Sequence, residues 1–325
     1  MNRAITSLRP SASLEIPAAR YLSNGRLRSA IGADGGGCVW FDWMAMTAWD
    51  ALRPGLLPGW SLWWRDLAGG GPKRFADGTA VSVDMPDARA RWRRDFDEIS
   101  IDLEALVLPS SHLEMRRITV RNQGDRPKQI ELSAVAEVAL HHPVGHATHP
   151  AFSKLFLQTG FDATRDALLV HRRPRASAES WPCLVCAMHG EGELQYETDR
   201  FRFQGRGWKR DLPKAIGEAS ALSGTVGNVL DPILATRRVL RIPAGGSASV
   251  VTYLGTGANR DEALALLDHA PSFEDATAQS ASHSLVRLAR LGISQNDALD
   301  YEALLVAMLR GTRSLRANPE TIAAA

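Results

Sequence analysis

From Ile99 onward, apolar and polar residues alternate almost without a break. Ile99, Ile101, Leu103, Ala105 and Val107 fall on one side, and Ser100, Asp102 and Glu104 on the other. A period of two marks a β-strand with one buried and one wet face. The same period returns at Ile118 and Val120 against Thr119 and Arg121, and again at Ile130, Leu132, Ala134, Ala136 and Val138. Turn formers in Asn122-Gln123-Gly124-Asp125-Arg126-Pro127 join these two runs, which predicts a hairpin. Further strands are expected at 26–32 after the Ser23-Asn24-Gly25 turn, at 38–43, and at 239–242 running through Pro243-Ala244-Gly245-Gly246 into 249–254. Short strands between Gly/Pro turns, with almost no helical period before about residue 260, predict a mainly β fold: a large antiparallel β-sandwich.

Beyond Gly257 the period changes. Helices are predicted at 261–269, 273–291 and 297–310, the last with Asn296 as N-cap and Gly311 as its stop. Leu285, Leu288 and Leu291, then Leu299, Ala303 and Val306, recur every three to four residues and give each helix one apolar stripe. The expected organisation is a tail over 1–20, the sandwich over 21–258 and a short helical linker over 259–325. The last residues close no element, so the chain is expected to stop partway through a larger architecture.

Composition adds little constraint. A chain of 325 residues with 45% hydrophobic and 23% charged residues can bury a sizeable core. The net charge of +2 leaves no footprint for nucleic acid. No stretch approaches the roughly 20 apolar residues of a membrane span, and the start has no signal-like apolar run. Cys38, Cys183 and Cys186 are an odd set that speaks against a disulfide framework and for a reducing cytoplasm.

Seven of the nine tryptophans come early, at Trp40, Trp43, Trp49, Trp60, Trp63, Trp64 and Trp92, interleaved with Asp42, Asp50, Arg65 and Asp66. Aromatic faces stack on sugar rings while charged groups bind the hydroxyls, although such rings also fill cores. Trp63 and Trp64, adjacent on a strand, must face opposite ways. His141, His142, His146 and His149 lack the spacing of a zinc site and read as a solvated loop. Cys183-Leu184-Val185-Cys186 reads as two buried strand thiols. Gly255-Thr256-Gly257 has Arg260 where a dinucleotide loop needs its third glycine, and the triple glycines at 35–37 and 69–71 lack a phosphate loop's lysine. The densest polar stretches are Glu197-Thr198-Asp199-Arg200-Phe201-Arg202-Phe203-Gln204-Gly205-Arg206-Gly207 and residues 222–233. A carboxylate among guanidinium groups can bind sugar hydroxyls or phosphate, or simply tie two long loops together.

Those two stretches closely resemble motifs in the N-terminal domain of cellobiose and chitobiose phosphorylases and of the phosphorylase-like region of cyclic β-1,2-glucan synthases, the glycoside hydrolase 94 family. Matches of the same kind are Leu22-Ser23-Asn24-Gly25, Trp64-Arg65-Asp66, Glu114-Met115-Arg116-Arg117 and His149-Pro150-Ala151-Phe152-Ser153-Lys154-Leu155-Phe156, all in family order. Ala48 and Val135 depart from the family pattern, which has arginine and tyrosine there. The resemblance implies a galactose-mutarotase-like supersandwich, a helical linker and then an (α/α)6 barrel carrying a catalytic aspartate. Phosphate attacks the anomeric carbon in that barrel, with inversion. No residue of this chain matches the catalytic aspartate.

The expected function is therefore a non-catalytic carbohydrate-binding module that takes an oligosaccharide or β-glucan without cofactor, metal, nucleic acid or membrane. Candidate contacts are Trp64, Arg65, Asp66, Asp199, Arg200 and Arg206. Two alternatives stay open: half of a split phosphorylase that works with a separately encoded (α/α)6 barrel, and a structural protein that forms homo-oligomers through its helix stripes.

Overall fold

A computed structural model describes residues 19–48, 59–81, 89–206, 212–218, 220–309 and 320. Among them the chain shuttles between two antiparallel sheets. It builds β1 (Ala19–Ser23), β2 (Leu27–Gly32), β3 (Gly37–Phe41), β4 (Met44–Thr47), β5 (Trp60–Asp66) and β6 (Lys73–Arg74) in the first sheet. It then builds β7 (Thr79–Val81), β8 (Ala90–Phe96), β9 (Ile99–Val107) and β10 (Leu113–Asn122) in the second. β11 (Lys128–His141) returns to the first sheet, and β12 (Leu157–Asp162), β13 (Ala167–Arg172) and β14 (Cys183–Gly190) lie in the second. β15 (Gln195–Asp199) and β16 (Pro232–Ile242) complete the first sheet, and β17 (Ser247–Gly257) the second.

The sandwich read from the alternation is thus present, with Ile99, Ile101, Leu103, Ile118, Val120, Ile130, Leu132 and Val138 in one core between the sheets. The expected hairpin is not. β10 pairs with β9 and β17, whereas β11 pairs with β4, β5 and β16, so the 122–127 turn carries the chain from one sheet to the other. The turn between β16 and β17 does the same, and the two arches are bonded together. Asn122 donates from its backbone to Gly246 and from its side chain to the Arg126 and Pro243 carbonyls. Alternation shows which side of a strand is apolar; it carries no information on which neighbour the strand's edge will meet.

The wet face expected for 99–107 is also absent, because every residue of β9 is buried. Arginines of β10 and of the segment before β8 cover its polar side: Asp102 meets Arg121 at 3.1 Å, and Glu104 meets Arg89 and Arg117, each at 2.7 Å. The rest of the outer face of the second sheet lies under α5 (Arg260–Asp268) and the start of α6 (Phe273–Leu291). Gly257 is glycine because α5 comes so close; a Cβ there would stand 2.4 Å from the Ala263 nitrogen.

α6 has the bounds read from the sequence, started by Ser272, whose hydroxyl accepts from the Asp275 nitrogen. α7 (Gln295–Leu309) begins earlier than expected. Ser294 rather than Asn296 starts it, its hydroxyl accepting from the Asp297 nitrogen while Asp297 accepts from the Ser294 nitrogen. Leu288 is buried, but Leu285 and Leu291 stay exposed, so the stripe of α6 is only partly covered. The expected stop at Gly311 and the Val306 side chain lie outside the described residues.

Among the described residues four short α-helices interrupt what read as an all-β region. α1 (Pro143–Thr148) and α2 (Pro150–Lys154) occupy the expected histidine loop, and α3 (Arg200–Gln204) and α4 (Lys214–Gly217) lie between β15 and β16. α3 and α4 pack on the outer face of the first sheet, where Phe203, Ala215 and Ile216 bury against Trp63, Val135, Ile233 and Ala235.

Candidate functional site

α3 is the ridge of the site. Asp199 starts it, its carboxylate accepting from the Phe201 nitrogen at 2.8 Å, and Gly205 ends it with φ of 76°, a left-handed value that suits glycine. Phe203 points down into the sheet-facing cluster, whereas Phe201 points out and is 56% exposed. The Arg206 guanidinium lies 5.4 Å from the centre of the Phe201 ring. Open clefts of about 900 and about 620 Å³ flank the ridge, and Asp199, Phe201, Arg202 and Gly205 border both. Lys214 and Ser223 belong to the first, Leu230 and Asp231 to the second.

Ionic contacts anchor the ridge from below. Arg200 donates to Glu137 of β11 at 2.5 Å and to Gln204 at 3.1 Å, and Asp231 lies 3.5 Å from it. Lys154 of α2 meets the same Asp231 at 2.5 Å. Burial raises the Glu137 carboxyl above its ordinary value, while Arg200 and Lys154 pull it down. Glu197 accepts from the Thr198 and Asp199 nitrogens and from the Ser223 hydroxyl, which ties the 222–233 loop to β15.

Of the six candidates, the fold gathers three. Asp199, Arg200 and Arg206 share the ridge, with Arg206 exposed, Asp199 spent as a helix cap and Arg200 as an anchor. The other three sit elsewhere. Trp64 is 5% exposed in the inter-sheet core, edge-on to Phe96, so it has no face to offer a sugar. Arg65 is buried beneath α4, donating to Glu131 at 2.6 Å and to the Ile216 carbonyl at 3.2 Å. Asp66 pairs with Lys128 at 3.0 Å. Trp63 and Trp64 do face opposite ways. Trp60 and Trp92 are buried, Trp43 is exposed, and Trp49 and Asp50 lie outside the described residues.

The residue that the sequence reading passed over is Phe201. Its signal was the Phe-x-Phe pair within a charged stretch, since on one helical turn only one of the two rings can face the sheet. His142 caps α1 by accepting from the Val144 nitrogen, and among the described residues no three His, Cys, Asp or Glu gather as metal ligands. Cys183 and Cys186 are buried and unpaired, and burial pushes their thiols up to about 11 and about 12.

Residues 2–272 match the family described as glycosyl hydrolase 94, supersandwich domain. The chain belongs to that family. The likeness first seen in the 197–207 and 222–233 stretches is therefore borne out, and those stretches form the ridge and cleft walls of this supersandwich domain. A similar protein is the cyclic beta-(1,2)-glucan synthase NdvB of Rhizobium meliloti (strain 1021), 29% identical over 314 residues. The match covers 93% of this supersandwich chain and only 11% of the synthase. Similar solved structures include a bacterial glucoamylase complexed with acarbose, with TM-score 0.49, 8% identity, and coverage of 82% of this chain and 38% of that one. Another is a protein of the human microbiome described as a kojibiose phosphorylase, with TM-score 0.47, 11% identity, and coverage of 81% and 35%. Among the described residues no helix is long and apolar enough to cross a membrane.

Proposed function

We propose that the chain is the non-catalytic, carbohydrate-binding and scaffolding module of an enzyme like a β-glucan or disaccharide phosphorylase or a cyclic β-1,2-glucan synthase. It holds an oligosaccharide or β-glucan along the α3 ridge, beside an (α/α)6 barrel that carries out the bond chemistry. The observation that carries this reading is the ridge: an exposed aromatic face with a guanidinium over it, between two open clefts. An aromatic face takes the apolar side of a pyranose, and the surrounding arginine, lysine and hydroxyl groups suit its oxygens. Similarity to the glucan synthase supports a glucan as the occupant.

The carboxylates nearby suit a scaffold better than a catalyst. Hydrolysis or phosphorolysis needs at least one carboxyl free to give a proton to the glycosidic oxygen. Glu197 and Asp199 accept from backbone nitrogens, Glu137 is held under Arg200, and of the other carboxylates bordering the clefts Asp231 pairs with Lys154 and Glu218 lies 3.6 Å from Lys214. Incubating the chain with cellobiose or β-1,2-glucan and inorganic phosphate tests this. No sugar 1-phosphate should appear; its release by the chain alone would overturn the reading.

A second reading is favoured by the apolar residues of the same surface, since Phe201, Val226 and Leu230 are all exposed. In it, a separately encoded barrel docks on the ridge and the pair restores phosphorolysis. Leu230→Asp should then abolish activity of the mixed chains while leaving the fold intact by circular dichroism. The net charge of +2 supports partners other than nucleic acid, and the odd count of three cysteines suits a cytoplasmic location.

A further inference from the structure

Away from the ridge clefts, α1, α2 and the loop after β13 enclose a smaller pocket of about 180 Å³. This is below the range for drug-sized ligands and is suited to a single ring. One wall is aromatic. Trp181 stacks on His141 with ring centres 5.8 Å apart at 18°, and Phe152 stands at the rim, half exposed. Gly145 allows His141 to sit there, because a Cβ on it would stand 2.4 Å from the imidazole. Outside the pocket Trp43 extends the aromatic surface, meeting Trp181 edge-on at 5.9 Å.

The opposite character comes from arginine. Arg172 is only 5% exposed, and its guanidinium lies 5.1 Å from the Trp181 ring centre. Nε donates to the Leu140 carbonyl at 2.7 Å, and Nη2 to the Ala139 carbonyl and the Ser153 hydroxyl. Among the described residues Nη1 has no hydrogen-bond partner and no carboxylate forms an ion pair with this cation. Arg173 and Arg175 line the same pocket against one carboxylate, Glu179, which accepts from the Arg175 backbone nitrogen and the Trp181 indole N–H and lies 3.7 Å from the Arg175 guanidinium, so three arginines share one carboxylate. A buried cation that no carboxylate touches is costly unless an anion arrives. Burial and Arg175 lower Arg172 to about 10, so it stays charged at neutral pH.

We propose that this pocket is a second ligand site, taking one sugar ring that carries an anionic group, phosphate or carboxylate. The ring lies against Trp181 and Phe152, and the anion meets Arg172 and Arg175. A guanidinium presents paired donors that match either anion, and the aromatic wall requires the ring.

The test is titration of the full chain, read by tryptophan fluorescence, with glucose 6-phosphate, glucuronate, glucose and inorganic phosphate. At least one anionic sugar should bind tenfold or more tightly than both glucose and phosphate, and which one does assigns the anion. Arg175→Ala, an exposed position, should weaken that binding at least tenfold. Phe201→Ala on the ridge should leave it unchanged, so failure here is separable from failure of the glucan reading. Neither anionic sugar binding more tightly than glucose, inorganic phosphate binding as tightly as the better anionic sugar, indifference to Arg175→Ala, or no binding at millimolar ligand would each overturn the proposal.

Discussion

Removing Arg200 leaves Glu137 buried without its cation. The side chains of this pair are 10% and 5% exposed, so water cannot take over the lost contact. Arg200→Ala should lower unfolding free energy by about 3–5 kcal/mol, as for other broken buried pairs. Replacing both partners by apolar residues should recover much of that loss in urea melts; an Arg200→Ala protein as stable as the parent would contradict the anchoring role. His146 makes a second expectation at this scale. Burial, with Lys154, His141 and Arg172 nearby and Asp231 opposing them, lowers its imidazole to about 4, and among the described residues its buried Nδ1 has no hydrogen-bond partner. The unfolded value is about 6.5, so as pH falls from there to about 4 the unfolded chain binds a proton that the folded chain refuses. Stability should drop across that window and level off below it, by about 1–2 kcal/mol after allowing for partial exposure. Melts at about pH 7 and about pH 4.5 check this: His146→Asn should show a drop smaller by that amount, and an identical drop would refute it.

Among elements, the two arches are what make a sandwich of these strands. Asn122 is buried, donates to two carbonyls on different arches and accepts from Gly124. Asn122→Ala should therefore cost about 2 kcal/mol, at about 1 kcal/mol for each bond to the two carbonyls. At α7, Ser294→Ala removes a cap worth about 1 kcal/mol and should speed amide exchange in the first turn of that helix only. The longest strands and the long helices were legible because their patterns repeat: β9 and β11 alternate over many residues, and α5 and α6 carry Asn259 and Ser272 as caps. The helices α1 to α4 span four to six residues each, too few for a 3.6-residue period to recur. The polar side of β9 read as solvent-facing because the arginines that cover it come from β10 and the segment before β8, beyond the reach of any local pattern. The ridge was legible as a charged stretch, but not which members would point outward. Arg200 and Phe201 are neighbours in sequence, one an anchor and the other the exposed face.

The whole molecule divides its labour by layer. The core between the sheets is mainly apolar but also holds the buried Glu114–Arg116 ion pair, its guanidinium 4.3 Å from the centre of the Trp60 ring; the outer face of the second sheet is covered by ion pairs and by α5 and α6, and the outer face of the first sheet carries the α3 and α4 layer with its clefts. Chemistry-bearing side chains thus sit over β11 and β16, whose register fixes Glu137 opposite Ile233 and so fixes the ridge above it. Leu285, Val286, Leu291, Leu304 and Met308 remain exposed on α6 and α7. Exposed apolar surface of that extent favours self-association, so light scattering should show mass rising with concentration. A constant monomer mass would count against homo-oligomer formation. The most direct test of the glycan-holding role is calorimetric titration of the chain with β-1,2-linked gluco-oligosaccharides, repeated with Phe201→Ala and Arg206→Ala. The parent should give saturable heat that both substitutions reduce at least tenfold in affinity; no heat at millimolar sugar, or binding indifferent to both substitutions, would contradict a glycan site on the α3 ridge.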